Sequence, residues 1–70
     1  MIISVFKTSI KEKDIINLSP ALNKLQDLSR WNTDLDDCDN ILRIESHSDI
    51  AQKIINILST QGLQCEELQD

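Results

Sequence analysis

Flexible-linker residues are nearly missing from this chain. Its 70 residues include one glycine and one proline, which leaves little room for a linker and makes residues 1–70 one domain, near the lower size at which an apolar core suffices without cross-links. Basic charge is also scarce. Seven Lys and Arg stand against twelve Asp and Glu, a net charge of -5. That balance repels phosphate, so nucleic acid and anionic membrane are not expected partners, whereas a cationic protein or a metal ion fits better. No apolar run is long enough to span a bilayer. The opening Met1–Phe6 has no basic leader, too short an apolar run and no small-residue cleavage site after it, so a cytoplasmic protein is expected. Only two cysteines are present, Cys38 and Cys65. With no export signal, such a pair is expected as free thiols rather than a disulfide framework. There is no Ser/His/Asp or Cys/His constellation, no Gly-rich phosphate loop and no evident buried carboxylate pair, so no enzymatic activity is expected.

What is present is a foldable alternation of apolar patterns. Hydrophobic residues make up 40% and charged residues 27%, a globular composition. Residues 2 to 8 are β-branched and aromatic, with Ile3 and Val5 on one face and Ile2, Ser4, Phe6 and Thr8 on the other. From about Glu12 the period changes to that of a helix, with Ile15, Leu18, Leu22 and Leu25 in a stripe that Ile16 and Ala21 widen. Pro20 interrupts it: either Ser19 caps a helix beginning at Pro20, or a longer helix bends there.

Alternation returns from Arg30 to Leu35, with Trp31, Thr33 and Leu35 on one face, and from Ile41 to Ser46, with Leu42 and Ile44 inward. Between them Asp36-Asp37-Cys38-Asp39-Asn40 predicts a hairpin turn, because Asp and Asn bond to their own backbone. Ser48 is the expected N-cap of a second helix, with Asp49 suited to the positive end of its dipole and Ile50, Ala51, Ile54, Ile57 and Leu58 as its stripe. Gly62 ends that helix. Leu63 to Leu68 predicts a last strand with Leu63 and Cys65 on one face. The order βαββαβ is satisfied by an α+β ferredoxin-like sandwich, a four-stranded antiparallel sheet of order 4-1-3-2 with both helices on one side.

With that order in place, Trp31, Asp34, Leu35, Ile41, Leu42, Ile44 and the closing Gly62-Leu63-Gln64-Cys65-Glu66 resemble the heavy-metal-associated domains of copper chaperones and metal-transporting ATPases, over nearly the whole chain. Members of that family carry Met-x-Cys-x-x-Cys after the first strand. The resemblance places Ile10 at the Met, and Glu12 and Ile15 at the two thiolates. Those thiolates hold a soft ion such as Cu(I); Glu12 is a hard oxygen ligand and Ile15 has no lone pair. The resemblance therefore implies the fold and a degenerate metal loop, and no metal-binding residues.

Three candidate regions remain. Glu12, Asp14, Asp36, Asp37, Cys38 and Asp39 are expected at one end of the sheet, where a cation of unknown identity is the alternative to ordinary solvated turn chemistry. Ile3, Val5 and Ile41 are expected on the uncovered sheet face, as an interface for another protein or a second copy, against the alternative of scattered surface aliphatics. Cys38 reads as a surface thiol, Cys65 as a small core residue, and Trp31 as the cover of a core edge. His47 is expected at the other end from the hairpin, without companions for a metal site. The expected role is a small binding module of this fold acting through protein contact, with no cofactor; the alternative is metal handling through carboxylates and Cys38.

Overall fold

The structure is a computed structural model that describes residues 1–36 and 38–68. Among these lie β1 (Ile2–Thr8), α1 (Glu12–Asn23), β2 (Leu28–Asp34), β3 (Ile41–Ser46), α2 (Ala51–Thr60) and β4 (Cys65–Leu68). The strands form one antiparallel sheet of order β2-β3-β1-β4, the expected order read from the other edge. The sheet's inward residues Phe6, Leu42 and Ile44 and the helical residues Leu18, Leu22, Ile54 and Leu58 are fully buried in one core. Both helices thus cover the same face, and the opposite face is open.

Two further isoleucines close the core at its ends. Ile10, in the connection from β1 to α1, is fully buried, and Ile50, in the connection from β3 to α2, is 3% exposed. Because β1 and β3 run antiparallel, these two plugs sit at opposite ends of the sheet.

Several local expectations change. The first helix runs from Glu12 through Pro20 to Asn23: burial of Leu18 and Leu22 on one continuous stripe outweighs the one backbone bond that Pro20 removes. Ile16 does not widen the stripe and is 79% exposed, because a helical rotation of 100° per residue sets it about 140° from the centre of the Ile15, Leu18, Leu22 and Leu25 stripe. The second strand begins at Leu28, with an irregularity between Leu28 and Arg30 that an alternation count cannot register. It ends at Asp34, one residue before the expected Leu35. The fourth strand starts at Cys65 rather than Leu63, since the Leu63 amide donates to the Leu58 carbonyl and the Gly62 amide to Ser59. These two bonds, with Gly62 at φ +76°, make the paired C-terminal closure that glycine allows.

Ser48 is not the cap of α2. That helix starts at Ala51 after Ile50, with no side-chain cap. The Ser48 hydroxyl instead donates to Asp27 Oδ2 at 2.8 Å, and Asp49 Oδ1 accepts from the Ala51 amide at 3.1 Å.

Candidate functional site

The hairpin end is where the resemblance would place a metal loop, and its loops are joined around Ile10. Thr8 Oγ1 accepts from the Ile10 amide at 3.1 Å and donates to the Asn40 carbonyl. Asn40 Nδ2 donates to the Ile10 carbonyl at 2.8 Å, so both backbone groups of Ile10 have partners. Asn40 reaches it from the left-handed region, φ 47°, which Asn tolerates better than most residues. On the other flank the Ser9 amide donates to the Gln64 carbonyl and the Gln64 amide to Ser9 Oγ, at 3.2 and 2.9 Å. Polar groups joined in such a chain, from the buried Thr8–Ile10 bond to the exposed Ser9–Gln64 bond, hold a loop in one conformation.

The carboxylates of this end have separate partners. Asp14 Oδ2 accepts from the Lys11 amide at 2.9 Å, and Glu12 and Asp14 occupy the first turn of α1, where the helix dipole favours negative charge. Asp39 Oδ1 lies 3.6 Å from Lys7 Nζ, both about half exposed, a surface pair worth little. Asp36 and Cys38 are exposed in the turn, and Asp37 lies outside the described residues. Among the described residues no three His, Cys, Asp or Glu side chains group as around a metal ion. Of the two residues that the resemblance would set at the thiolates, Glu12 is exposed and Ile15 packs against the core.

Both cysteines are free thiols. Cys65 pairs with Thr8 across the β1–β4 ladder and packs against the core. Burial, followed by the charge of Glu67, pushes its thiol up to about 11, which keeps it protonated at neutral pH and slow as a nucleophile.

The open face has its own order. Reading across β2, β3, β1 and β4, one row holds Asn32, Arg43, Val5 and Leu68, and the next holds Asp34, Ile41, Lys7 and Glu66. Ile3 stands beside Glu45, itself opposite Arg30, in the row beyond. Ile3 is 62% and Leu68 40% exposed; Val5 and Ile41 are half-buried. Ile3, Val5 and Leu68 therefore form an apolar strip along β1 and β4, with Ile41 diagonal to Val5, while β2 and β3 carry charges of both signs. Leu68 was not expected in this strip, because only the β1–β4 register brings it beside Val5.

At the other end, Trp31 packs against the core and its Nε1 donates to Asn23 Oδ1 at 3.2 Å, covering an edge of the core as expected. The His47 amide donates to the Asp27 carbonyl at 2.8 Å. Beside this junction Lys24, Leu25, Gln26, Asp27, Ile50 and Lys53 line an open groove of about 310 Å³.

Fold and site together define an open-faced α+β sandwich whose strand-to-helix loop is closed by an isoleucine. No family model, curated protein or solved structure matches the chain.

Proposed function

We propose that the chain is a small cytoplasmic binding module, similar in arrangement to a heavy-metal-associated domain, in which a closed apolar plug replaces the dithiolate loop. It works through protein contact made by the open sheet face. One observation carries this reading: Ile3, Val5 and Leu68 form a contiguous apolar strip on a face that, among the described residues, neither helix covers. Uncovered apolar surface on a sheet favours a partner that removes it from water. The filled loop supports the same reading, since Ile10 is fully buried and bonded on both sides. Among the described residues no helix is long and apolar enough to cross a membrane.

Two measurements test it. Val5→Lys puts a charge in the middle of the strip and should abolish capture of a partner while leaving the melting curve nearly unchanged; a partner that binds this variant as well as the wild type refutes use of the face. Native mass spectrometry with Cu(I), Zn²⁺ and Ca²⁺ should show no tight adduct. One equivalent held firmly, and lost in Cys38→Ser, would replace this function with metal handling at the hairpin.

A further inference from the structure

We propose that the outer edge of β2 pairs with β2 of a second copy, antiparallel about a two-fold axis through Asn32, to give a continuous eight-stranded sheet. This edge lies apart from the Ile3, Val5 and Leu68 strip, at the opposite side of the sheet from β4, and does not depend on it.

Strand β2 lies at the edge of the sheet and has a strand neighbour only in β3. Among the described residues no other backbone segment bonds to residues 29–35. An unpaired row of N–H and C=O groups is a template for another strand unless the sequence blocks it. Natural edges are blocked by proline, by short length, by bulges or by charged side chains. Over residues 30–34 β2 has no proline, its irregularity lies before Arg30, and its two charges, Arg30 and Asp34, are of opposite sign.

The placement of those charges selects the partner. With Asn32 opposite the partner's Asn32, Arg30 stands opposite the partner's Asp34, and Asp34 opposite the partner's Arg30. Both pairs lie on the open face, because Arg30 and Asp34 share it in the β2–β3 register. On the other face Trp31 meets the partner's Thr33 twice, an aromatic against a β-branched residue. Opposite charges and aromatic–β-branched pairs are the favourable cross-strand combinations, and two-fold symmetry makes every favourable pair occur twice. The monomer leaves Arg30 available, since its contact with Glu45 is 3.9 Å long and its side chain is 74% exposed.

The two ends of the segment set the register. Toward the N-terminus the irregularity between Leu28 and Arg30 breaks the regular ladder where the pairing should stop. Toward the C-terminus the chain leaves β2 after Asp34. The other edge, β4, offers no such self-match: it spans Cys65–Leu68 with Glu66 and Glu67 and no basic residue.

Sedimentation of the full chain over a concentration series up to about 1 mM, in the range of weak association, should show a monomer–dimer equilibrium. Trp31, the chain's single Trp, should change its emission along the same curve, and alternate amides of residues 30–34 should gain hydrogen-exchange protection with concentration. Arg30→Glu and Asp34→Arg each make both cross-strand pairs like-charged and should weaken self-association by about tenfold or more. Mixed one to one, the two variants should recover it as a heterodimer, since the swapped charges again face their opposites. Unchanged circular dichroism in each variant shows that folding is not the cause. A wild type that stays monomeric throughout overturns the proposal, as does a dimer that Val5→Lys abolishes and Asp34→Arg leaves intact.

Discussion

The two strand-to-helix junctions are built on one plan and fastened to different extents. Each begins with a buried hydroxyl at a strand end, Thr8 or Ser46, and each ends with an isoleucine plugging the core, Ile10 or Ile50. In the second, Ser46 Oγ donates to the Ser48 carbonyl, and the junction then leans on Asp27 through His47 and Ser48. In the first, Thr8, Ser9 and Ile10 are bonded to Asp39 and Asn40 of the hairpin and to Gln64 after the last helix. The second junction borders an open groove, whereas the first is bonded to the hairpin on one flank and to Gln64 on the other. The tighter junction is the one where the resemblance would put an ion, and a loop held this firmly by its own polar groups has no need of a metal for its conformation.

Shortening the plugs should separate the junctions most. Ile10→Ala removes buried methyl groups inside a closed network, so the expected loss is about 2–5 kcal/mol, a large part of the stability of a domain this size. Ile50→Ala leaves its gap on the groove, where water and the Lys24 and Lys53 chains can fill it, and should cost about 2 kcal/mol. Urea unfolding of both variants checks the order; equal losses would mean that the enclosure of the first junction contributes nothing extra.

The side chains that tie each junction give a smaller contrast. Asn40→Ala strips a donor from the partly buried Ile10 carbonyl and also puts alanine at positive φ, for an expected loss of about 1–3 kcal/mol. Asn40→Gly keeps the backbone easy and should recover only the conformational part. Ser48→Ala removes an exposed bond to Asp27 and should fall within about 0.5 kcal/mol of wild type. A Ser48 effect matching that of Asn40 would erase the distinction between the ends.

Periodic features were legible in the residues and long-range ones were not. Alternation at Ile2–Thr8 and Ile41–Ser46 matched the strands, and the spacing of Ile54 and Leu58 matched the buried face of α2. Ile16 misled because it neighbours the stripe in sequence while facing away in rotation. Ser48 misled for a different reason: a hydroxyl before a helix is a local signal, and its partner here lies 21 residues away. Asn40 looks in the sequence like a turn residue alone, since nothing near it announces a bond to Ile10 across 30 residues. The open face was more accessible, because Ile3, Val5 and Ile41 follow from strand parity alone, while Leu68 required the pairing of β4 with β1.

Titration also tests the packing of the first junction. Cys65 lies against Thr8, and its thiol is pushed up from 9.0 to about 11 by burial and then by Glu67. A group whose folded pKa is raised contributes stability that is fully present below its unfolded pKa and is lost as pH rises through the folded value. The unfolding midpoint of the wild type should therefore fall from pH 9 to about 11 by more than that of Cys65→Ala, with the two parallel below that window. Cys38, exposed in the hairpin, should alkylate well before Cys65 at neutral pH. Equal alkylation rates, or identical slopes in the alkaline window, would show that water reaches Cys65 freely and that the first junction is looser than its bonds imply.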